Sequence, residues 1–285
     1  MRRECRAKIN LFLKVLGRRP DGYHELWTLF QEIDVHDTLV YEPGSGELEL
    51  EIAGAALGAV EENLVFKAAR LFGDRLGRPI GGRFSLRKRI PAGGGLGGGS
   101  SDAAGALALL NEAHQYPFGH EDLRAMALTL GADVPFFLEG GMCEARGVGE
   151  RLRPVVHELP FDGGFLLIPD FGVPTGPVFR ELAAGPSDPA HENAAPHAVP
   201  AIGENDLFAP ACRLFPRLAE IREAWPCRET GESLFMTGSG STLVWFTDRS
   251  RLDREQEAIA ARFDLKTVPF RRWPKPADRQ SGIGR

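Results

Sequence analysis

A run of glycines in the first half of the chain is the segment whose composition most clearly predicts chemistry. Six of the seven residues from Gly93 to Gly99 are glycine, and Ser100-Ser101-Asp102-Ala103-Ala104 follows directly. Glycine loses more conformational freedom on folding than any other residue, about 0.5 to 1 kcal/mol relative to alanine at a regular position. Such a run is therefore expected where bare backbone must approach a ligand closely.

The residues after the glycine run have helical spacing. Apolar side chains recur at Ala103, Ala104, Ala106, Leu107, Leu109 and Leu110. Ser100 or Ser101 is well placed as the N-cap. Free amide groups and the positive end of the helix dipole favour an anion such as phosphate at a helix N-terminus. The alternative, a flexible linker or a tight helix–sheet contact, is disfavoured, because linkers do not usually open into a capped, apolar helix.

Length and composition limit the class of protein. The chain has 285 residues, enough for two modest domains or for one large domain with a buried core. The formal net charge of −5 and the isoelectric point near 5.9 disfavour a nucleic-acid-binding surface. The short basic stretch 271–275 is expected to be a solvated end.

Cysteine use and hydropathy indicate a compartment. The four cysteines lie far apart without a Cys-x-x-Cys pair, which predicts neither a disulfide framework nor a zinc site. The N-terminal stretch lacks a signal-peptide cleavage site, and no run approaches the roughly 18 apolar residues of a membrane span. We expect a cytoplasmic protein, monomeric or weakly dimeric, that binds neither membrane nor nucleic acid.

Hydrophobic periodicity predicts the elements around the glycine run. Alternating residues predict strands over 9–15, 29–41, 48–52, 83–90 and 164–169. A period of 3.6 predicts helices over 121–130 and from Asn63 to Leu76, the latter ended by Gly77. Residues 183–203 are rich in Ala, Pro, Gly and His and are expected to form a surface loop. Strands and helices without strict β-α-β alternation favour the α+β class.

Three well-known nucleotide motifs do not account for the glycine run. A Walker A loop requires a Gly-Lys pair, and the sequence has none. Residues 93–98 match Gly-x-Gly-x-x-Gly, but the strand before them ends in the basic residues 87–89, whereas a Rossmann first strand is buried on both faces. Asp170-Phe171-Gly172 imitates a protein-kinase motif without its partner motifs and is interpreted as a strand-end turn.

Four segments agree with one kinase family, in the family's order. They are Ala7-Lys8-Ile9-Asn10-Leu11 with Asp21-Gly22-Tyr23-His24-Glu25-Leu26, the run from Pro91 to Ala104, Gly131-Ala132-Asp133-Val134-Pro135-Phe136-Phe137, and Gly238-Ser239-Gly240-Ser241. Together they resemble the 4-diphosphocytidyl-2-C-methyl-D-erythritol kinase family. It belongs to the galactokinase, homoserine kinase, mevalonate kinase and phosphomevalonate kinase (GHMP) superfamily, most members of which have a shorter Gly-Leu-Gly-Ser-Ser loop.

This resemblance implies a reaction and a fold. The reaction is transfer of the ATP γ-phosphate to the 2-hydroxyl of 4-diphosphocytidyl-2-C-methyl-D-erythritol, in the non-mevalonate route to isoprenoid precursors. The fold is α+β, with an N-terminal domain similar to ribosomal protein S5 domain 2, a C-terminal ferredoxin-like domain and the site between them. We predict that residues 1–155 bind ATP and carry catalysis, and that residues 156–285 bind the substrate.

Two charged residues are the predicted catalytic pair. Phosphoryl transfer requires positioning, neutralisation of charge and a group that takes the proton of the attacking hydroxyl. Asp133 is predicted to be this base, because it lies at a helix end between Gly131 and Pro135 and the resemblance assigns the catalytic aspartate here. Lys8 is predicted to lie beside it and keep the carboxylate ionised. Spacing alone does not separate this role from that of a solvated lysine at a strand edge.

The resemblance also implies the residues that bind ATP. The predicted set is Asn63, Leu64, Lys88, Pro91, Gly93, Gly94, Gly95, Leu96, Gly97, Gly98, Gly99, Ser100 and Ser101. The first three are expected around the adenine, although Lys88 and Arg89 also fit the solvated face of a strand. Mg²⁺ is expected to be held chiefly by phosphates and waters, with Ser100 as a candidate protein ligand.

The acceptor site is implied in the same way. Its predicted residues are Asn10, Tyr23, His24, Thr175, Phe179, Gly238 and Ser239. Asn10 and Thr175 are assigned to the methylerythritol part, whereas Tyr23 supplies a stacking face and His24 a hydrogen bond for the cytosine. Phe179 is expected to stack on the opposite face, although phenylalanine is more often a core residue. The last two residues of the set steady the glycine loop and the substrate, unless their segment is an ordinary hairpin turn.

Two alternative functions stay open at the level of sequence. One is another small-alcohol kinase of the superfamily, of mevalonate or homoserine type. The segment 21–24 disfavours it, because an acceptor without a nucleobase would not need Tyr23 and His24. The other is a non-catalytic ATP-binding regulatory protein of the same fold, which the presence of Lys8 and Asp133 disfavours.

Overall fold

The structure is a computed structural model that describes residues 1–54, 60–156, 158–184 and 200–273. Its strands are β1 (Arg2–Arg18), β2 (His24–Pro43), β3 (Leu48–Ala53), β4 (Gly82–Arg87), β5 (Met142–Gly147), β6 (Arg151–Pro154), β7 (Gly163–Ile168), β8 (Ser233–Met236), β9 (Leu243–Phe246) and β10 (Lys266–Arg271). Its helices are α1 (Leu64–Leu76), α2 (Gly98–Ala113), α3 (His120–Leu130), α4 (Phe136–Glu139), α5 (Thr175–Ala184), α6 (Phe208–Leu214), α7 (Arg217–Ala224) and α8 (Arg254–Arg262).

The first sheet is organised around β2. β1 pairs antiparallel with β2 along its whole length, and the remaining order is β3-β4-β2-β5-β6. Bulges interrupt the β1–β2 register between Arg6 and Lys8 and between Asn10 and Phe12, but the register is regular from Lys8 to Asn10. These two side chains therefore lie on the same face of the strand, since successive residues of a strand alternate between faces.

The second sheet has the strand order β10-β7-β9-β8, with antiparallel neighbours throughout. Along the chain its elements run strand, helices, strand, strand, helix, strand. This order is that of the ferredoxin-like arrangement predicted for the C-terminal part. Because the first sheet uses residues 2–154 and the second uses 163–271, the predicted division at residue 155 falls between the sheets. The division into two domains stays a prediction.

One apolar cluster packs the two sheets against each other. It joins Ile9 and Leu11 of β1 to Leu166 of β7 and Phe246 of β9. Leu96, the single non-glycine residue inside the glycine run, belongs to the same cluster and is only 1% exposed. Burial of a leucine side chain contributes about 1.5 to 3 kcal/mol, so this residue anchors the glycine loop in the core.

Helix α1 agrees with its sequence signals. Asn63 is its N-cap, and the side-chain oxygen accepts a hydrogen bond from the Val65 amide at 2.9 Å. Gly77 ends the helix with φ +75°, the left-handed conformation in which glycine avoids the steric cost of a Cβ. The predicted end at Leu76 with Gly77 is confirmed, and the helix begins at Leu64, one residue after the predicted start at Asn63.

Two predictions for loops have different outcomes. Most of the predicted surface loop 183–203 lies outside the described residues. The expectation of a solvated end from Arg271 is wrong for the described part: Arg271 ends β10, the Trp273 amide donates to the Glu32 carbonyl at 2.9 Å, and the Arg6 guanidinium lies 3.6 Å from the centroid of the Trp273 ring. Within the described ranges, no helix has the length and apolar character needed to cross a membrane.

Candidate active site

Lys8 is a buried lysine in the interior of β1. Its residue is only 3% exposed, and its Nζ donates to Asn10 Oδ1 at 2.7 Å. The same Nζ lies 3.6 Å from Asp133 Oδ2 and 5.1 Å from the centroid of the Phe30 ring. The expectation of a solvated lysine is therefore excluded by the structure. Burial lowers the pKa of Lys8, and the nearby charge of Asp133 offsets part of this effect.

Asn10 orients the Lys8 ammonium. The Asn10 amide nitrogen Nδ2 donates to Thr28 Oγ1 at 2.8 Å, and this hydroxyl donates in turn to the Phe12 carbonyl. Since Nδ2 is held by Thr28, the oxygen Oδ1 faces Lys8. The main-chain amide of Asn10 donates to Thr237 Oγ1 at 2.8 Å, which ties β1 to the turn between β8 and β9.

Asp133 lies in the turn between α3 and α4, as its neighbouring glycine and proline predict. The turn is anchored by the buried side chains of Val134 and Phe136, whereas the Asp133 side chain is 36% exposed. One end of this carboxylate therefore faces the Lys8 ammonium while the group stays accessible to a ligand. A carboxylate in this position has the geometry needed to accept a proton from a bound hydroxyl.

The loop helix begins earlier than the sequence predicted. Gly97 is the N-cap, with φ +71°, and the first turn of α2 is Gly98-Gly99-Ser100. Ser100 and Ser101 are therefore not N-caps. The Ser101 amide donates to the Gly97 carbonyl at 2.9 Å, so the three amides before it are the ones without a partner inside the helix. The error arose because glycine in a left-handed conformation starts the helix without a side-chain cap.

The glycine loop is pressed between β1 and the turn 237–242. On one side, the Lys8 amide donates to the Leu96 carbonyl at 3.0 Å. On the other side, a Cβ on Gly95 would lie 2.4 Å from the Thr237 carbonyl oxygen, and Gly95 has φ +77°. Residue 95 must therefore be glycine for two independent reasons. The close approach explains why the run cannot carry side chains here.

Most of the predicted ATP residues line one cavity of about 460 Å³. Its walls include Asn63, Leu64, Lys88, Pro91, Gly93, Gly94, Gly95, Leu96, Gly97, Gly98, Gly99 and Ser100. Ser101 lies elsewhere: it is 3% exposed and lines a separate cavity with Cys5 and Gly105. A larger cavity of about 930 Å³ adjoins the first and shares Lys88 and residues 90–92 with it.

Lys88 is buried, so the alternative expectation that it lies on the solvated face of a strand is wrong. It is 8% exposed, and its Nζ donates to Asp37 and, at 2.6 Å, to Asp102 Oδ2. Burial opposes the charge of Lys88, but the two carboxylates outweigh it and raise the pKa of this ammonium. Burial raises the pKa of Asp102 to about 7. Arg89, by contrast, is exposed.

The residues predicted to bind the acceptor, apart from Asn10, fall into two groups. His24 stacks on Phe179 with 4.8 Å between the ring centroids, and burial together with the charge of Arg18 lowers the pKa of His24. Tyr23 is 66% exposed in the segment between β1 and β2. The second group is Thr175 and Ser239, whose hydroxyls are 2.8 Å apart, with Gly238 close to Lys8. A Cβ on Gly238 would be 3.6 Å from Lys8 Nζ.

Sequence reasoning missed residues that hold these groups in place. Asn205 Nδ2 donates to the Met236 carbonyl at 2.8 Å and to the Gly238 carbonyl at 2.9 Å, and so supports the segment Gly238-Ser239-Gly240-Ser241. Asp37 and Asp102 hold Lys88. Asp102 stands inside the quoted loop motif, but no local pattern distinguishes Asn205 or Asp37 from other polar residues.

The described residues contain no group of three or more His, Cys, Asp or Glu side chains arranged to hold a metal ion. The residues on the cavity of the glycine loop that carry hard side-chain oxygen donors are Glu62, Asn63, Ser100 and Asp102. Asp102 Oδ1 is buried and has no hydrogen-bond partner among the described residues. A few oxygen donors beside a triphosphate suit Mg²⁺, which keeps several waters and binds through substrate phosphates.

Comparison with known proteins identifies the family. The family model described as GHMP kinases N terminal domain matches residues 63–141. A 4-diphosphocytidyl-2-C-methyl-D-erythritol kinase of Thermus thermophilus is 46% identical over 270 residues, covering 92% of this chain and 93% of that protein. The chain belongs to the 4-diphosphocytidyl-2-C-methyl-D-erythritol kinase family. Another member, from Pelotomaculum thermopropionicum, is 40% identical and covers 91% of this chain and 92% of its own length.

Solved structures agree with the family and its fold. A crystal structure of a 4-(cytidine 5'-diphospho)-2C-methyl-D-erythritol kinase superposes with a TM-score of 0.74 at 40% identity, covering 95% of this chain and 99% of its own. A mevalonate kinase superposes with a TM-score of 0.65 at 14% identity, covering 96% and 100%, which shows the shared fold alone. The family, the GHMP kinase fold and the kinase class predicted from the sequence are confirmed.

We expect Gly95→Ala to weaken nucleotide binding. The left-handed conformation costs a non-glycine residue roughly 1 to 2 kcal/mol, and the added Cβ would push the loop off the Thr237 carbonyl. Titration calorimetry with a non-hydrolysable ATP analogue should show at least about tenfold weaker binding. Gly119→Ala is the control, because its Cβ would meet only Asp122 Oδ2 at 3.7 Å. Wild-type affinity in Gly95→Ala would contradict the steric argument.

Proposed function

We propose that this kinase transfers the γ-phosphate of ATP to the 2-hydroxyl of 4-diphosphocytidyl-2-C-methyl-D-erythritol. The observation that carries the proposal is the ion pair of Lys8 and Asp133, 3.6 Å apart, beside the cavity of the glycine loop. The named relatives at 40 to 46% identity support the choice of acceptor. The mevalonate and homoserine alternatives have only low-identity structural likeness in their favour.

In the proposed mechanism, Asp133 takes the proton of the acceptor hydroxyl. The hydroxyl oxygen forms a bond to the γ-phosphorus while the bond from that phosphorus to the β,γ-bridging oxygen breaks, and ADP leaves with the electron pair. Lys8 keeps the carboxylate ionised and orients the attacking oxygen or the moving phosphoryl group. The 36% exposure of the Asp133 side chain against 4% for the Lys8 side chain fits a base that meets substrate and a cation that stays in place.

ATP would lie with its phosphates over the first turn of α2. The amides of Gly98, Gly99 and Ser100 and the helix dipole favour the phosphate charge. Asn63, Leu64 and Lys88 form the adenine side in this proposal, and Ser101 contributes through the helix rather than through its side chain. Mg²⁺, with Ser100 as its protein ligand, would neutralise charge on the β- and γ-phosphates when bound.

The acceptor would lie between Lys8 and the pair of His24 and Phe179. Tyr23 and Phe179 are proposed to stack on the cytosine while His24 hydrogen-bonds its edge. Thr175, Gly238 and Ser239 would face the methylerythritol part. For Asn10 we propose a contribution through Lys8, because its side-chain oxygen already accepts from that ammonium.

The remaining proposals concern organisation. We propose that residues 1–155 and 156–285 form two domains, the first binding ATP and the second contributing to the acceptor site. The separate sheets support this division. A cytoplasmic monomer or weak homodimer, free of nucleic acid and membrane, is proposed from composition.

A comparison of acceptors tests the proposed reaction. Coupled ADP release should show turnover with 4-diphosphocytidyl-2-C-methyl-D-erythritol and little with mevalonate or homoserine, because the latter two lack a nucleobase for Tyr23, His24 and Phe179. Preference for mevalonate or homoserine would refute the proposed acceptor. Binding of an ATP analogue without turnover of any of the three would support a regulatory protein instead.

The Asp133→Asn variant is expected to lose catalytic activity and to keep its affinity for the nucleotide. A general base contributes about 10²- to 10⁴-fold, so kcat should fall at least about 100-fold. The affinity for a non-hydrolysable ATP analogue should change less than about twofold, because the glycine loop is untouched. Asp74→Asn, an exposed carboxylate on α1, is the matched control. Near-wild-type turnover in Asp133→Asn would refute the assignment.

The dependence of kcat on pH should reveal the loss of the proton from Lys8. Because burial lowers the pKa of Lys8, raising the pH removes its proton earlier than from a free lysine, and kcat should fall on the alkaline side below pH 10.5. Lys8→Arg keeps a charged group at all accessible pH values. Its kcat should be lower near neutrality, but its alkaline limb should move upward. An unmoved limb would assign this titration to another group.

A further inference from the structure

Asp37 lies outside the predicted site, yet its carboxylate accepts three hydrogen bonds from the segment that precedes the glycine run. It lies on β2, opposite Cys5 of β1, and is fully buried. One carboxylate oxygen accepts a hydrogen bond from the Lys88 ammonium. The other accepts hydrogen bonds from the main-chain amides of Arg89 and Ile90. A single side chain thus holds both the lysine and the backbone that follows β4.

Two segments that line the cavity of the glycine loop are called its two walls here. Lys88 and Ile90, which Asp37 holds, form the first wall, and the first turn of α2 forms the second. The Lys88 ammonium reaches across to Asp102 Oδ2 of α2 at 2.6 Å. A Cβ on Gly98 would lie 2.9 Å from Ile90 Cγ2 and 3.2 Å from Lys88 Nζ, so the two walls are already in tight contact.

We propose that Asp37 is a positioning residue for ATP, fixing the segment 88–90 and the N-terminal turn of α2 at one separation through Lys88. The inference rests on the proposed function, because it concerns the same nucleotide site. Asp37 is buried behind the wall and acts through residues that line the cavity. A charged side chain at position 37 suits this role, because charged acceptors hold an ammonium group more firmly than neutral acceptors do.

The two carboxylates around Lys88 differ in a way that a substitution can expose. An asparagine at 37 must keep one oxygen on the Arg89 and Ile90 amides, so its NH₂ group would face the Lys88 ammonium, donor against donor. An asparagine at 102 can still turn its oxygen to Lys88. Its NH₂ would then take the place of Oδ1, which has no partner among the described residues.

The test measures binding of a non-hydrolysable ATP analogue by calorimetry, together with the KM of the acceptor. Asp37→Asn should weaken the analogue at least about tenfold and leave the acceptor KM within about twofold. Asp102→Asn should have a smaller effect. The control is Asp34→Asn, which should bind the analogue like wild type. Asp34 precedes Asp37 by three residues on β2, and its carboxylate accepts a hydrogen bond from the Arg271 main-chain amide.

A double variant keeps the test decisive if Asp37→Asn does not fold. Lys88→Met removes the opposing donor, so adding Asp37→Asn to Lys88→Met should weaken the analogue less than about twofold further. A second, independent tenfold loss would overturn the inference. So would a lower melting temperature of Asp37→Asn with unchanged analogue affinity, which indicates a purely structural role. Failure of the wild type to bind the analogue would instead refute the proposed kinase function.

Discussion

The active site depends on the burial of the Lys8 ammonium. An isolated ion in a protein interior is costly, so its surroundings must supply both hydrogen bonds and opposite charge. Asn10 supplies the hydrogen bond and Asp133 the charge. Each of these in turn requires an element: the regular stretch of β1 between two bulges aligns Asn10 with Lys8, and the turn after α3 brings Asp133 to them.

The same strand also positions the glycine loop. Lys8 donates its main-chain amide to the Leu96 carbonyl while its side chain faces Asp133. Leu96 is buried in the apolar cluster shared by both sheets, and Gly95 touches the Thr237 carbonyl from the second sheet. A shift of one sheet relative to the other would therefore displace the glycine loop and Lys8 together. In the proposed mechanism, this packing couples the position of the nucleotide to that of the residue that supports the base.

The sequence predicts a structural feature well when the residues that cause it lie close together in the chain, and poorly when they lie far apart. The ends of α1 were predicted to within one residue because Asn63 and Gly77 act within one helical turn of their positions. The N-cap of α2 was predicted three or four residues too late, at Ser100 or Ser101, because a left-handed Gly97 starts the helix without a side-chain cap. The environment of Lys88 could not be predicted, since Asp37 lies 51 residues away and meets it only when β2 pairs with β4. The support that Asn205 gives to the turn at Gly238 could not be predicted for the same reason, because the two residues are distant in sequence and meet only in the folded chain.

The two buried lysines show how environment separates roles for one residue type. Lys88 lies between the buried carboxyl groups of Asp37 and Asp102, and its pKa is raised, so it keeps its proton at a pH where an ordinary lysine begins to lose it. Lys8 faces a single, partly exposed carboxylate, and burial lowers its pKa. A permanently charged lysine suits a static link between walls of a cavity. A lysine whose charge is held by one accessible carboxylate responds to what happens at that carboxylate, which in the proposed mechanism includes the arrival of a proton from the acceptor. The sensitivity of Lys8 and the constancy of Lys88 therefore follow from the number and burial of their partners, not from the lysines themselves.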